Sequence, residues 1–569
     1  MSRPVIVLKL GGSVLRDADS LRAAVHEIYR WLRAGYGVVA VVSALQGATD
    51  ALLETCRRLS PAADGYVSAA VAAGGELHCA ALLSAQLDRA GVPACVLPPG
   101  EAGLSACGDP LAATPVALDP RPVRAALGRG EVAIVPGFFA PDDEGRTVTF
   151  GRGGSDLTAL FLAARLGAAR CRLVKDVDGV YEDDPAATSP PPRRFARATW
   201  DDALATDGSI VQHAALRFAR SERLGFELGR LNGTSPTRIG PGPRAFAHGP
   251  DRPRPLRVVL LGLGTVGSGV WEHLRALEIE VPRVIVRDPD RARDVPVPRE
   301  LLVRTLDARA LASTDVVVET IGGREPAGEF VARALRAGRH VVTANKDLLA
   351  SEGARLRALA RANGARLLAS AAVGGSVPVL ERLRARDQPR VVALRAVLNG
   401  TTNFVLERMR TGCTRDEALA EARRHGFAEG DPGRDLSGRD AADKLCLLAA
   451  GLGYERLEAA SVPTEGLTGE RLGREPGVLR QVASLRRRAG GLDAAVRLER
   501  LTADDPLVLV PREHNAVALE LADGSVELLR GKGAGRWPTA EAILGDLLEL
   551  VRATAPSARL RAARRACSR

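Results

Sequence analysis

Lysine is scarce in this chain, and its few positions are candidates for chemistry that arginine cannot perform. The 569 residues include 79 basic ones, of which only five are lysines. They are Lys9, Lys175, Lys346, Lys444 and Lys532. An ammonium is a compact charge whose pKa shifts readily on burial, so a lysine can contact a phosphate closely or exchange a proton. Chance survival is the alternative for any single lysine, so the segment around each one decides its interpretation.

The first lysine begins a glycine turn that suits a phosphate. The segment Lys9-Leu-Gly-Gly-Ser13 directly follows an apolar run. Paired glycines, Gly11 and Gly12, let backbone N–H groups close on a phosphate while Lys9 supplies a charge. Three further segments carry turn glycines or acids, at residues 42–50, 151–156 and 175–185. Together they predict a phosphate-handling site in the N-terminal half, with a purely structural turn as the alternative for each segment alone.

A second glycine turn predicts a dinucleotide site. Gly262-Leu-Gly-Thr-Val-Gly267 follows the apolar run 257–261 and opens a helical pattern. This context is the one the fingerprint requires, with glycines for the turn, for approach of the pyrophosphate and for helix packing. The next predicted strand ends at Arg287 and Asp288. A carboxylate there would bind the ribose 2′-hydroxyl of NAD and an arginine the 2′-phosphate of NADP, and we favour NADP.

Two more lysines stand near acids farther along the chain. Lys346 follows a predicted strand, at the carboxyl end where open α/β sheets bind ligands. Asp440 and Lys444 are four residues apart on a predicted helix and therefore share a face. Three acids precede that helix on a loop, namely Glu429, Asp431 and Asp435. An exposed ion pair is the alternative, but it explains neither the loop acids nor the use of lysine.

The elements that must position these residues form an α/β pattern in both halves. In the first half, apolar runs at residues 5–8, 38–42, 132–135 and 171–174 alternate with helical patterns at 21–32 and 76–87. Such alternation predicts a parallel or mixed sheet covered by helices. A segment rich in proline and glycine, residues 241–256, predicts a linker, after which a second strand-helix series begins. The length predicts three or four domains.

Charge and composition argue against nucleic acid and membrane partners. The net charge is +11, but residues 551–569 carry six arginines and no acid, so much of the excess lies in a basic tail. A solvated terminus is the expected role of that tail. The eight cysteines are scattered without a metal-binding spacing, no basic leader begins the chain, and no apolar run is long enough to span a bilayer. We therefore expect a cytoplasmic protein.

The N-terminal half resembles the amino-acid kinase superfamily, and aspartate kinase in particular. The resemblance covers residues 5–240 and includes residues 74–76 and 232–234. It implies ATP with Mg²⁺ and transfer of the γ-phosphoryl group to the side chain of L-aspartate, a reaction that depends on positioning and charge neutralisation. Carried over by position, the resemblance assigns the nucleotide and catalysis to Lys9, Gly11, Gly12, Ser13, Asp156, Asp176 and Tyr181. We also assign Lys175 to the ATP phosphates, as a separate hypothesis that the family pattern does not supply. The resemblance assigns L-aspartate to Ser43, Thr49, Glu76 and Arg152, with Arg152 on the α-carboxylate.

Four positions depart from the aspartate kinase pattern. They are Val14 for serine, Lys175 for threonine, Ala186 for arginine and Ile210 for lysine. Two other interpretations therefore stay open: a degenerate or differently specific amino-acid kinase, and a non-catalytic module that senses nucleotide or assists assembly. The paired regulatory ACT modules of aspartate kinases have no room between Thr234 and Arg257, so feedback through such modules is not expected.

The second half resembles homoserine dehydrogenase from Arg257 to about Leu550. The resemblance implies reversible reduction of aspartate 4-semialdehyde to L-homoserine, with hydride chemistry supplied by the nicotinamide. An amine partly desolvated beside Asp440 can exchange the hydroxyl proton, so Lys444 and Lys346 are assigned to proton transfer or oxyanion stabilisation. Asp440 would orient the hydroxyl end, and Glu429, Asp431 and Asp435 would bind the amino-acid end. The predicted cofactor contacts are Gly262, Gly264, Thr265, Val266, Gly267, Arg287, Thr343 and Asn345.

The family also suggests a monovalent cation, Na⁺ or K⁺, on backbone oxygens of Val373 and Gly375, although Ser370 stands where glutamate is frequent. Lys532 lies beside glycines that return to the nucleotide domain, and either a phosphate contact or a surface position fits it. A homodimer or homotetramer is expected by analogy.

The predicted architecture is α/β: an αβα sandwich of the amino-acid kinase type, then a Rossmann domain with an α+β substrate and dimerisation domain. The predicted boundaries are 1–240 for the kinase domain, 241–256 for the linker, 257–375 for the Rossmann domain, 376–512 for the substrate domain, 513–555 for the return to the nucleotide domain and 556–569 for the basic tail.

Overall fold

Two units with separate cores form this chain. A computed structural model describes residues 3–17, 19–185, 187, 189, 192–247, 256–385, 390–427, 432–470 and 476–553. The first unit consists of Arg3–Asp88 and Pro93–Pro253, and the second consists mainly of Arg254–Arg569. The predicted Glu429 and Asp431, the departure at Ala186 and the tail 556–569 lie outside the described residues.

The first unit is an α/β unit built on a nine-stranded sheet. Its strands are β1 (Val5–Leu10), β2 (Gly37–Val42), β3 (Ala94–Val96), β4 (Leu104–Cys107), β5 (Thr114–Leu118), β6 (Val132–Pro136), β7 (Phe139–Pro141), β8 (Thr147–Thr149), β9 (Arg170–Val174), β10 (Phe195–Ala198), β11 (Phe226–Gly229), β12 (Thr237–Ile239) and β13 (Ala245–Phe246). Its helices are α1 (Ser20–Arg33), α2 (Ala48–Leu59), α3 (Gly65–Arg89), α4 (Arg121–Gly128), α5 (Gly154–Leu166), α6 (Trp200–Leu204) and α7 (His213–Ser221).

The topology of this sheet gathers the predicted site segments at one edge. The strand order is β13-β10-β12-β11-β9-β1-β2-β6-β3, and β1 pairs in parallel with both β9 and β2. Successive residues of β2 are fully buried although their side chains alternate between the two faces, so both faces of the sheet are covered. The segments that follow β1, β2 and β9 therefore leave the sheet at the same edge.

Helix α3 is long and apolar enough to span a membrane by length and composition alone. Its buried residues include Ala69, Ala72, Glu76, Cys79 and Leu83, which recur every three or four positions. This spacing marks one buried helix face, the pattern of a helix that packs on a protein core.

The second unit combines a parallel and an antiparallel sheet. Its strands are β14 (Arg257–Leu261), β15 (Glu280–Ile285), β16 (Leu302–Val303), β17 (Val316–Glu319), β18 (His340–Thr343), β19 (Leu367–Leu368), β20 (Val391–Val397), β21 (Val478–Arg488), β22 (Gly491–Leu501), β23 (His514–Leu521) and β24 (Val526–Lys532). Its helices are α8 (Thr265–Ala276), α9 (Ala308–Ala312), α10 (Ala327–Arg336), α11 (Lys346–Ala362), α12 (Val379–Arg384), α13 (Gly400–Arg410), α14 (Arg415–Arg424), α15 (Gly433–Leu436), α16 (Arg439–Gly451) and α17 (Arg536–Ala553).

The parallel sheet has the order β16-β15-β14-β17-β18-β19, which is the doubly wound order of dinucleotide-binding folds. The antiparallel sheet has the order β22-β21-β20-β23-β24. After β24 the chain returns, and α17 packs against α8 of the nucleotide domain. The predicted α/β class with a Rossmann-type second half is confirmed.

Two local features differ from the sequence-based expectations. Ala245–Phe246, inside the predicted linker, form a short strand that pairs antiparallel with β10. The Phe246 ring stacks on the Phe195 ring, with centroids 5.0 Å apart, and this contact holds the segment on the sheet. The strand expected to end at Arg287 and Asp288 already ends at Ile285, so these two residues lie on the loop beyond the sheet.

Candidate active sites

In the second unit, two lysines from different helices share one buried carboxylate. Lys346 is the first residue of α11, and Asp440 and Lys444 lie in the first turns of α16. Lys444 Nζ is 2.8 Å from Asp440 Oδ2, and Lys346 Nζ contacts Asp440 Oδ1. Asp440 is almost fully buried, whereas the Lys346 side chain is 38% exposed. We call these three residues the second-unit lysine cluster.

The charges of this cluster stabilise one another. Burial alone would raise the pKa of Asp440, but the ammonium groups of Lys444 and Lys346 hold it well below the usual range. Burial lowers the pKa of Lys346, yet the Asp440 carboxylate outweighs this effect and raises the pKa above its ordinary value. Asp440 therefore stays ionised at every physiological pH and fixes the two ammonium groups side by side.

Asn399 completes the surroundings of Asp440, and the sequence interpretation missed it. Its side-chain oxygen accepts a hydrogen bond from Thr402 N at 2.8 Å and caps α13. Its amide nitrogen donates to Asp440 Oδ2 and to Asp435 Oδ1, each at 2.7 Å. Lys444 also donates to the carbonyl of Leu398 at 2.7 Å. An asparagine directly before a helix was the available signal, because an N-cap uses only its oxygen and leaves its NH₂ group free.

The glycine turn of the second unit has the shape that a dinucleotide requires. Gly262 has φ +91°, and a Cβ on Gly267 would lie 2.3 Å from the Gly262 carbonyl oxygen. A Cβ on Gly264 would meet no atom within 4 Å. Gly262 and Gly267 are thus needed for the turn and for packing, whereas Gly264 faces open space at the start of α8, where a pyrophosphate would lie.

A buried acid, Glu319, holds the loop after β17 and the end of β18 together. Glu319, at the end of β17, accepts backbone hydrogen bonds from Ile321 at 2.8 Å and Gly322 at 3.0 Å, and its other oxygen contacts the Thr343 hydroxyl. Asn345 in turn caps α11 through Leu348 N at 3.1 Å. These contacts orient the start of α11 and therefore Lys346.

The remaining predicted residues of the second unit lie on a loop, at a helix start and in the buried interior. Arg287 is exposed on the loop after β15, and Thr265 and Val266 begin α8. Val373 and Gly375 are buried, and a Cβ on Gly375 would lie 2.4 Å from the carbonyl oxygen of Lys532. The monovalent cation at these two residues stays a prediction.

The first unit contains a second cluster of the same composition. Lys9 lies near the end of β1, Lys175 follows β9, and Asp156 lies in the first turn of α5. Lys9 Nζ is 2.8 Å from Asp156 Oδ1, and Lys175 Nζ donates to Asp156 Oδ2 at 2.7 Å. We call these residues the first-unit lysine cluster. Lys175, a departure from the aspartate kinase pattern, thus shares its carboxylate with Lys9.

In this cluster burial outweighs the attraction between the opposite charges at Lys9, whereas at Lys346 of the second unit it does not. Burial lowers the pKa of Lys9 to about 8, against the attraction of Asp156, and the neighbouring Lys175 lowers it further. Burial would raise the pKa of Asp156, but the two ammonium groups keep it below its ordinary value. An ammonium this poorly solvated gains strongly from any anion placed beside it.

Glu76 lies close to this cluster, on the buried face of α3. Burial raises its pKa to about 7, although a backbone hydrogen bond from Ala44 and the charge of Lys9 oppose the shift. Within the described residues, Glu76 Oε2 has no hydrogen-bond partner. Thr49 approaches the same region, since its hydroxyl would lie 3.7 Å from a Cβ on Gly75. A buried acid without a second partner is a group that a ligand can satisfy.

Other predicted residues surround the same sheet edge. Gly12 lies against Ala44, whose carbonyl would be 3.2 Å from a Cβ at that position, and a Cβ on Gly11 would lie 2.8 Å from Lys9 Nζ. A side chain at Gly11 would displace the ammonium of Lys9, and one at Gly12 would crowd the Ala44 carbonyl. The predicted residues that are exposed or half-buried here are Ser13, Ser43, Thr49, Arg152, Asp176 and Tyr181, and the Tyr181 hydroxyl donates to Asp178 at 2.9 Å.

Known families match both units. The model of the amino acid kinase family matches residues 4–224, the NAD-binding domain of homoserine dehydrogenase matches 262–370, and homoserine dehydrogenase matches 378–548. A homoserine dehydrogenase of Bacillus subtilis is 34% identical over 320 residues, which cover 52% of this chain and 73% of that protein. One from Corynebacterium glutamicum is 36% identical over 52% of this chain and 72% of that protein.

Solved structures match the same half of the chain. A homoserine dehydrogenase structure from Thiobacillus denitrificans is 35% identical, with a TM-score of 0.48, and the match covers 53% of this chain and 74% of that one.

Proposed function

The chain belongs to the homoserine dehydrogenase family and carries an amino acid kinase domain, and from this premise we propose that each lysine cluster is the catalytic centre of one reaction. The second unit interconverts aspartate 4-semialdehyde and L-homoserine with a nicotinamide cofactor, and we assign its proton chemistry to Lys346 and Lys444. The first unit transfers a phosphoryl group, and we assign L-aspartate as its acceptor.

The dehydrogenase assignment rests on one observation, the carboxylate of Asp440 shared by two ammonium groups. A lysine ammonium has three donors. Lys444 uses two of them, on Asp440 and on the Leu398 carbonyl, and keeps one for the substrate oxygen. A cationic donor beside that oxygen stabilises the alkoxide that forms as the hydroxyl proton leaves. In the direction of aldehyde reduction, Lys346, which Asp440 keeps protonated, gives its proton to this oxygen as the hydride arrives and, being partly exposed, takes another proton from solvent.

The cofactor fits the turn before α8. The nicotinamide supplies the hydride chemistry. The open space at Gly264 and the start of α8 accept its pyrophosphate. Exposed Arg287, on the loop after β15, suits a 2′-phosphate and supports NADP over NAD. Asp435, fixed by Asn399 near Asp440, supports recognition of the substrate ammonium.

The kinase assignment rests on the buried cation pair of the first-unit cluster. Lys9 and Lys175 neutralise phosphate oxygens, and Asp156 positions both ammonium groups. Mg²⁺ with ATP supplies the remaining charge neutralisation, as phosphoryl transfer requires. Glu76, with its unpartnered oxygen, suits the ammonium of an amino-acid substrate, and exposed Arg152 suits its α-carboxylate.

The proposed reactions also bear on the compartment, the oligomeric state and the order of the two steps. Substrates and cofactors of this kind belong to the cytoplasm, where we place the protein, and we expect a homodimer or homotetramer. The two reactions are not consecutive, because aspartyl phosphate must first be reduced to the aldehyde.

Both assignments are tested in one preparation of the full chain. An ATP-dependent hydroxamate assay with L-aspartate and Mg²⁺ measures acyl phosphate formation, and homoserine-dependent NADP⁺ reduction measures the dehydrogenase. We expect Lys9→Ala to abolish hydroxamate formation and to leave NADP⁺ reduction unchanged. Lys444→Ala should do the reverse, so each variant is the folding control of the other.

Three other outcomes would change these assignments. Hydroxamate from a different carboxylate, such as L-glutamate, would replace aspartate as the acceptor. ATP binding without any hydroxamate would make the first unit a nucleotide-sensing module and overturn the kinase assignment. Full NADP⁺ reduction by Lys444→Ala would remove that lysine from the catalytic centre.

A further inference from the structure

A cavity of about 570 Å³ lies within the second unit, and its lining does not include the residues of the lysine cluster. Its walls come from both ends of α11, where Leu349 lies in the first turn, from the C-terminal half of α16, from β19 and from α12. Arg357, which lines it, is eleven residues after Lys346 on α11, and this separation corresponds to about 16 Å along the helix axis. The volume is in the range of pockets that hold small molecules. Leu349 and Leu447 follow Lys346 and Lys444 by only three residues, so the apolar end of the cavity approaches the lysine cluster, but none of the described lining residues is one that we assign to substrate or cofactor.

The charged part of the lining is strongly basic. Among the described lining residues, four guanidinium groups, those of Arg357, Arg361, Arg366 and Arg384, accompany one carboxylate, that of Glu455, and Arg366 also pairs with Glu549 outside the lining. Glu455 Oε1 is 3.3 Å from Arg357 Nε and 3.7 Å from Arg361 Nη1, so two cations share it loosely.

The arginines also repel one another. Burial lowers the pKa of Arg357, and the charges of Arg384 and Arg361 lower it further, while Glu455 opposes both effects. An anion placed among these groups would relieve the repulsion, and a planar guanidinium fork matches a carboxylate in shape.

The rest of the lining is aliphatic. Leu349, Leu368, Leu380 and Leu447 are all less than 9% exposed and contribute to the wall. Among the lining residues that the structure describes there is no aromatic ring on which a planar group could stack. An apolar wall beside a cationic rim suits a ligand with an aliphatic body and one anionic end, because the body leaves water while the charge remains paired.

The same two helices connect this cavity to the lysine cluster. Both α11 and α16 begin at the cluster, with Lys346 on one and Asp440 on the other, and both end at the cavity. The ion pair between Lys346 and Asp440 spans the two helices. A ligand that moves the helix ends apart or draws them together therefore acts on this ion pair.

We propose that this cavity binds a small aliphatic carboxylate, with its anionic end on Arg357, Arg361 and Arg384 and its chain on the leucine wall, and that binding changes the rate of the dehydrogenase reaction. The effect on rate rests on the proposed role of Lys346, whereas the binding itself does not. Binding and catalysis are accordingly measured separately.

Calorimetry on the full chain tests the binding. Butanoate, hexanoate and octanoate are titrated as probes, with inorganic phosphate and hexylamine for comparison. We expect affinity to rise with chain length, by up to about fourfold per buried methylene. Phosphate, which lacks the aliphatic body, and hexylamine, which lacks the anion, should bind more weakly than hexanoate. Tightest binding by phosphate would instead assign the site to phosphate, and affinity independent of chain length would exclude the leucine wall. Either result would overturn the proposal.

Matched arginine variants locate the site. Arg384→Gln and Arg361→Gln each remove one charge from the cavity and should weaken octanoate binding about tenfold or more. Arg355→Gln removes the same charge from α11 outside the cavity lining, where Arg355 pairs with Glu352, and should bind octanoate as the wild type does. Equal weakening in all three variants would mean that the acid responds only to net charge, and the proposal would be wrong.

Kinetics test the coupling. Octanoate should change kcat for homoserine oxidation in the wild type and in Arg355→Gln, but not in Arg384→Gln at the same concentration. Calorimetric binding without any change in kcat or KM would overturn the coupling while leaving the proposed lysine chemistry intact. A protein inactive with homoserine that still binds octanoate would overturn the lysine chemistry instead.

Discussion

At the residue scale, both units contain the same arrangement of side chains, in which one buried aspartate lies between two lysines. A buried carboxylate with two ammonium partners leaves one uncompensated positive charge per cluster. That charge is what a phosphate or a developing alkoxide requires. Arginine could not replace these lysines, because its charge is spread over a planar fork and its pKa is too high for proton exchange. The scarcity of lysine in the sequence was therefore informative about function.

The lowered pKa of Lys9 predicts a pH limit for the kinase. Since the Lys9 pKa is about 8, the free enzyme loses this cation as the pH rises through 8. We expect kcat/KM for ATP to fall above that pH, approaching tenfold per pH unit, because kcat/KM reports ionisation of the free enzyme. Initial rates across a pH series measure it, with the dehydrogenase rate of the same samples as the control. A kcat/KM for ATP that stays flat up to the ordinary lysine pKa would contradict the assignment.

At the element scale, parallel strands bring the site residues together by ending at one sheet edge. The sequence predicted this for Lys9, Lys175 and Lys346, because each follows an apolar run. It could not predict that Lys346 meets Asp440, since the two are 94 positions apart and the contact depends on how α11 packs against α16. Periodicity predicts elements and their buried faces, whereas contacts between distant helices depend on tertiary packing.

In the turn before α8, Gly267 is needed for folding, whereas Gly264 is needed only for the proposed cofactor binding. Gly264→Ala should fold normally, because its Cβ meets no atom within 4 Å, but should bind NADP⁺ at least about tenfold more weakly by crowding the pyrophosphate. Gly267→Ala should lower the thermal midpoint, because its Cβ would lie 2.3 Å from a carbonyl oxygen. Differential scanning fluorimetry and NADP⁺ titration measure the two effects. Unchanged NADP⁺ affinity in Gly264→Ala would move the pyrophosphate away from this turn.

The cap of α13 has a second role that another cap of the same unit lacks. Asn399→Asp keeps the capping oxygen but replaces the amide donor with a third carboxylate beside Asp440 and Asp435. We expect a loss of about 1 to 3 kcal/mol in stability together with a large fall in dehydrogenase kcat.

Thr414→Ala is the matched control, since Thr414 caps α14 through Glu417 N. It should lose about 1 kcal/mol and keep its kcat. Denaturant unfolding and steady-state rates check both variants, and equal kcat values for the two would show that Asn399 acts only as a cap.

At the scale of the whole molecule, the two proposed reactions do not follow one another. The proposed kinase product is an acyl phosphate, at the oxidation level of a carboxylic acid, whereas the proposed dehydrogenase substrate is an aldehyde. Reduction of one to the other needs a hydride and a site that releases phosphate. We assign the two lysine clusters to phosphoryl transfer and alcohol oxidation, so within the described residues no centre is assigned to this third step.

Because no centre is assigned to reduction of the acyl phosphate, we expect that the full chain alone does not convert L-aspartate to homoserine. With L-aspartate, ATP, Mg²⁺ and NADPH alone, the protein should form aspartyl phosphate, trapped as hydroxamate in a parallel sample, without oxidising NADPH. Adding an aspartate-semialdehyde dehydrogenase should start NADPH oxidation and homoserine formation, and Lys444→Ala should then block the homoserine but not the intervening reduction. NADPH absorbance and amino-acid analysis measure both steps. Homoserine formation by the chain alone would mean that one of its sites also reduces the acyl phosphate. The assignment of one reaction to each lysine cluster would then be wrong.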